Sequence, residues 1–300
     1  MVFFTFASNN SIIYMLWRKR DMNNLFLLIT NWKIETPKSY GAFHLVALAL
    51  AIGLAIFLGI YGNRLSKDQE KCDKITKRIA FFVGIGLLII EIYKQTLYTL
   101  DGGSYQWYAF PYQFCSVPMY ACLINFFIKN QKVNNAIYYF LAMFGFVSGI
   151  AVMLYPGDVF VPTLTICIHT MLWHGSLLAL GVFMMTSRRL GRNFLKEVIP
   201  GTIVFTCFLA GALLLDIVMY HALFKEGAKY AGQTFNMFFI SPYFNCTLPI
   251  LSSIYPKVPY LVFLFCYLLA FTLGVSIVWG VNFLVRFIIS KVKKEKVVNE

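Results

Sequence analysis

Seven polar or nucleophilic residues stand inside long apolar runs of this 300-residue chain: His44, Glu91, Lys94, Cys115, His169, His174 and Asp216. A polar side chain costs a few kcal/mol in hydrocarbon unless it is paired, so each needs a partner or a task. A thiol becomes a nucleophile when a neighbouring base takes its proton, which makes Cys115 with His169 or His174 a candidate catalytic pair. The step from His169 to His174 turns ~500°, leaving the rings ~140° apart around a helix, so the two are not expected to serve one site equally. Metal would favour an i, i+4 pair, so neither a metal nor another cofactor is expected. Glu91 and Lys94, three apart on one helix, can pair with each other, or Glu91 can orient an imidazole while Lys94 meets a phosphate.

Cys115 sits in Pro111-Tyr112-Gln113-Phe114-Cys115-Ser116-Val117-Pro118. A proline within a helix removes a donor and presses on the carbonyl four residues back, so a kink beside the thiol is expected, with backbone amides near it to hold an oxyanion. Asn236, in the apolar stretch Thr234–Pro249, is a second expected oxyanion donor, and Asp216 a second carboxylate to orient an imidazole.

The elements that position these residues are membrane helices. The chain is 59% hydrophobic and only 13% charged, where a soluble domain carries about a quarter charged residues. Its apolar runs are about 20 residues long, which suits helices rather than barrel strands. The expected fold is an all-α polytopic bundle of about seven spans: Gly41–Gly62, Arg78–Tyr98, Ala109–Ile128, Asn135–Tyr155, Val161–Met185, Val198–Tyr220 and Tyr260–Ile289. Residues 1–40 form an N-terminal amphipathic or interfacial segment, 41–289 the transmembrane domain and 290–300 a basic tail.

The net charge of +13 does not point to nucleic acid, because the cations cluster at span ends. Seventeen Lys and Arg fall on one side of the bilayer, against Lys225, Lys229 and Lys257 among the loops of the other. The positive-inside rule then places the C-terminus in the cytoplasm, although Arg18, Lys19 and Arg20 run against it. At ~1.5 Å per residue, all seven residues but His174 lie in the outer half of the bilayer, as if lining one outward cavity.

The pieces Phe43-His44-Leu45, Glu91-x-x-Lys94, Pro-x-x-x-Cys115-Ser-Val, His169-x-x-x-x-His174 and Asp216 before Thr234-Phe235-Asn236-Met237 resemble the YwaF-type bacterial integral membrane proteins, from about His44 to Pro249. That family is related to a eukaryotic transmembrane acyltransferase that builds polyunsaturated ether phospholipids. The resemblance implies a catalytic cysteine at Cys115. It implies a histidine at His169 by the following Met-Leu-aromatic residues, or at His174 by the His-Gly pair. The expected activity is acyl transfer on phospholipids or lysophospholipids in a bacterial plasma membrane. The alternative is a non-catalytic transporter or lipid-binding protein, with Glu91, Lys94 and Asp216 holding ligand or carrying protons. His44, Glu91, Lys94, Asp216 and Asn236 are the supporting residues of either reading.

Overall fold

The computed structural model describes residues 21–298, with side chains through residue 292. The N-terminal portion 1–20 of the expected interfacial segment, with Arg18, Lys19 and Arg20, lies outside the described residues. Residues 21–30 are helical, and the strand-like stretch after them bridges Lys33 to Thr163.

Seven longer helices follow: α1 (Ala42–Leu65), α2 (Gln69–Asp101), α3 (Val117–Phe127), α4 (Gln131–Leu154), α5 (Leu164–Ser187), α6 (Phe194–Phe224) and α7 (Tyr260–Val298). α1, α4, α5, α6 and α7 are long and apolar enough to cross a membrane. α4 carries a buried π-turn at Leu141–Gly145, and α6 ends in another at Tyr220–Phe224. α5 is the central helix: 78% of its apolar window is buried, against 22% in α1 and 17% in α7, whose exposed apolar surface suits lipid.

Lipid tails are as apolar as the helices, so close backbone approach rather than hydrophobicity holds such a bundle. On α1, Ala51, Ala55, Gly59 and Gly62 recur every three or four residues on one buried face. They meet α5, where a Cβ added at Gly175 would sit 3.1 Å from the Cβ of Ala51. On the other side, a Cβ at Gly149 of α4 would lie 2.7 Å from the carbonyl oxygen of His174.

The expected helical span Ala109–Ile128 is not a continuous helix. Residues 110–116 are irregular and α3 has only 11 residues, about 16 Å or half the hydrocarbon thickness. Pro118 lies in the first turn of α3, where a missing amide costs nothing, so it starts a helix instead of kinking one. The segment nonetheless runs alongside α2. Gln95 Nε2 donates to the Ala109 carbonyl at 2.6 Å, and Lys77 Nζ to the Ile128 carbonyl at 2.6 Å.

Between α6 and α7 the chain folds back into the bundle. Phe235, Met237, Phe238, Ile240 and Ser241 are wholly buried, with Phe238 and Phe239 held at positive φ. Gln113 clamps this plug to the segment before α3: its Nε2 donates to the Asn236 carbonyl at 2.9 Å, and its Oε1 accepts from Phe238 N–H at 2.8 Å.

Candidate functional site

A cavity of about 310 Å³ opens between α2, the segment before α3, the α4–α5 loop and α5. α2 contributes Glu91, Lys94 and Tyr98, spaced three and four apart on one helix face. α5 contributes Ile166, His169, Thr170, Trp173 and His174, and Cys115 with Ser116 closes the third side. Five of the seven singled-out residues therefore share one space.

Both histidines line it despite their angular separation. His174 leans back along the helix, its Nδ1 donating to the Thr170 carbonyl at 3.0 Å, which brings the ring toward the cavity. A carbonyl can only accept, so the neutral ring carries its proton on Nδ1 and keeps a lone pair at Nε2. That Nε2 is buried without a hydrogen-bond partner. His169 Nε2 stands 3.8 Å from Glu91 Oε2, too far for a hydrogen bond, and both atoms are buried and unpartnered. The other oxygen of Glu91 is occupied, accepting from Lys94 Nζ at 2.7 Å and Gln95 Nε2 at 2.7 Å.

Trp173 joins the two sides. Its ring stacks on His169 at 5.5 Å between centroids, and its Nε1 donates to the Cys115 carbonyl at 2.9 Å. The thiol sits in a turn and not within a helix. Of the amides near Pro118, those of Ser116 and Val117 both donate to the Gln113 carbonyl, at 2.8 and 3.2 Å. The donors that remain near the thiol are its own main-chain amide and the side chains of Ser116 and Lys94, which line the same cavity.

Three expected members lie elsewhere. His44 accepts from Tyr40 N–H at Nδ1 and donates from Nε2 to the Met153 carbonyl, both at 2.9 Å, so one ring nitrogen secures the turn before α1 and the other holds α1 to the end of α4. Asp216 accepts the Met237 amide at 2.7 Å beneath the plug. Asn236 donates to the Asn245 carbonyl and accepts the Ser241 amide, stapling the plug to itself. These are backbone-satisfying roles. Depth along separate helices cannot distinguish them from cavity-lining ones, because depth says nothing about which way a side chain turns.

Gln113, Tyr98, Thr170 and Trp173 were not singled out from sequence. Gln113 and Trp173 had a signal available: each is a polar-tipped residue beside a candidate catalytic residue. Among the described residues, no three His, Cys, Asp or Glu side chains cluster as metal ligands.

Neither a curated protein nor a solved structure matches the chain. The profile of the TMEM164 family matches residues 39–283, which takes in all seven helices up to the last turns of α7 and every residue of the cavity, and so the chain belongs to the TMEM164 family.

Proposed function

We propose that this protein is a membrane-embedded acyl-transfer enzyme acting on phospholipids, with Cys115 as nucleophile and His169 as base. The observation that carries the reading is that Cys115, both histidines and the Glu91–Lys94 pair line one cavity. His169 is chosen because Glu91 Oε2, 3.8 Å from its Nε2, is placed to pair with the imidazolium that forms once the ring takes the thiol proton, and Trp173 links it to Cys115. The histidine takes the thiol proton as sulfur attacks the ester carbonyl carbon. The ester C–O bond then breaks, and the leaving alkoxide takes that proton to become a lysophospholipid hydroxyl. A second lysolipid hydroxyl attacks the thioester and restores the thiol; water in its place makes the reaction a hydrolysis. Ser116 and Lys94 supply donors to the oxyanion.

A groove of about 420 Å³ along α2, lined by Leu88, Ile92, Met119 and Tyr120, shares Glu91 with the cavity and runs past the exposed side chain of Ile92. It gives an acyl chain a lateral path, which a 310 Å³ cavity at the lower limit for small-molecule sites needs. The crossings number seven in this reading. Gln95 and Lys77, which grip the two ends of the segment Ala109–Ile128, are 18 residues apart on α2, about 27 Å against a hydrocarbon core of ~30 Å. Irregular backbone is tolerated at that depth when it is buried or lines a cavity. The C-terminus is cytoplasmic, in a bacterial plasma membrane.

One observation favours a second reading, a non-catalytic lipid binder or transporter: among the described residues, Cys115 Sγ makes no hydrogen bond to either imidazole. Incubation of purified protein with a thiol-reactive acyl-lipid probe separates the two. Covalent acylation lost on Cys115→Ala supports the enzyme; binding of the lipid without acylation supports the carrier.

A further inference from the structure

A second site stands at the opposite, basic end of the bundle, unconnected to the cavity. The turn between α5 and α6 presses on α7. At Gly191, with φ of 91°, an added Cβ would lie 2.7 Å from the Phe283 amide nitrogen, so the backbones touch only because no side chain intervenes. This contact brings Arg189 and Arg192 beside Arg286, one helical turn past Asn282, close enough for both to repel it.

The neighbouring carboxylate, Glu197, attracts Arg286 but sets one negative charge against three positive ones. Glu197 is buried, and its oxygens accept from the Gly191, Arg192 and Asn193 amides and from Trp279 Nε1 at 2.6 Å. The other described acids at this end are also engaged: Asp73 with Arg188, Glu70 with Lys74, and Asp68 with the Lys71 amide. Arg189 donates only to the Ser66 hydroxyl, at 3.1 Å. Among the described residues no ion pair includes Arg189, Arg192 or Arg286. Among the described residues, three guanidinium groups thus face a single carboxylate, Glu197, whose hydrogen bonds go to amides and an indole rather than to them.

The surface beside them is apolar. Trp279, Phe283 and Phe287 stack as a ladder along α7, with centroid spacings of 5.5 and 6.3 Å. Phe283 and Phe287 are each 47% exposed and flank Arg286. Basic pockets between helices at the cytoplasmic surface suit lipid headgroups, and guanidinium forks match phosphate oxygens. We propose that Arg189, Arg192 and Arg286 hold the phosphate of an anionic phospholipid whose acyl chains lie along the Trp279–Phe283–Phe287 ladder.

Native mass spectrometry of the full chain, titrated with phosphatidylglycerol and with phosphatidylcholine, tests this. One phosphatidylglycerol should be retained in preference, and the Arg189→Gln/Arg192→Gln/Arg286→Gln variant should lose that preference at least ~tenfold, in line with about 1 kcal/mol per cation. If the triple variant does not fold, Arg192→Gln alone, at an exposed side chain, should weaken retention about fivefold. The control is Lys74→Gln/Lys129→Gln/Lys132→Gln, which removes equal charge from α2 and from around the turn between α3 and α4 and should keep the preference. Equal loss in the control would reduce the effect to diffuse surface charge and overturn the site. Displacement of the lipid by inorganic phosphate as readily as by phosphatidylglycerol would make it a free-anion site and overturn the lipid assignment.

Discussion

The indole Nε1 of Trp173 donates a 2.9 Å hydrogen bond to the main-chain carbonyl of Cys115, across 58 residues of sequence. It ties the central helix to the irregular turn that carries the thiol. Because the same indole stacks on His169, the positions of the proposed base and nucleophile depend on one side chain. Trp173→Phe keeps the stacking and removes the donor. We expect a stability loss of about 1 kcal/mol, the usual worth of one hydrogen bond, and slower acylation of Cys115 by a lipid probe. An unchanged acylation rate in the destabilised variant would show that the indole serves packing alone.

Cys115 should be the most acylation-prone of the seven cysteines. Cys122, on the following helix, is wholly buried and lines no part of the cavity, so it is the control. His169→Ala should slow Cys115 acylation at least ~tenfold, at the low end of the 10²–10⁴ a positioned base contributes, while His174→Ala should leave it nearly intact. Mass-spectrometric rates for the two cysteines in each variant decide. The reverse pattern would transfer the base to His174, and equal rates at both cysteines would favour the carrier.

The Glu91–Lys94 pair is buried, with side-chain exposures of 4% and 16%. Breaking such a pair from one side strands a charge and costs roughly 3–5 kcal/mol. Glu91→Gln should therefore lower the unfolding temperature sharply, and Glu91→Gln/Lys94→Met should recover much of the loss. If the double variant is stable yet Cys115 remains unreactive, the carboxylate acts in the reaction. If reactivity returns with stability, the pair seals the bundle only.

Gly149→Ala tests how closely α4 must approach α5. The new methyl would meet Leu178 N at 2.5 Å and the His174 carbonyl at 2.7 Å, and backbone cannot yield as a side-chain tip does. We expect destabilisation of about 1–3 kcal/mol, the usual cost of overpacking. Gly53→Ala, where an added Cβ meets nothing, should be near neutral in the same thermal assay.

The orientation is open to direct labelling. A cysteine placed at Gly103, beyond the end of α2, should react with an impermeant reagent in intact cells, while one at Gln69 should not. The opposite result would invert the bundle and put the cavity at the cytoplasmic face.

Membrane character was legible in the residues alone, because 20-residue apolar runs bounded by cations leave helices as the fitting structure. So were the Glu91–Lys94 pair, a three-residue helical neighbour, and the set of polar residues too costly to bury idly. What the sequence could not provide was direction. The Ala109–Ile128 run is apolar enough to read as one helix, yet it breaks before Val117, since Pro111, Pro118 and the Gln113 clamp favour a turn that only packing against α2 and the plug can complete. His44 and Asp216 have the same residue chemistry and expected outer-half depth as the cavity residues, but each turns toward a backbone group on a neighbouring element. Whether a buried polar side chain satisfies backbone or faces a cavity depends on what lies within 3 Å of it, and that is fixed by contacts between residues far apart in the chain.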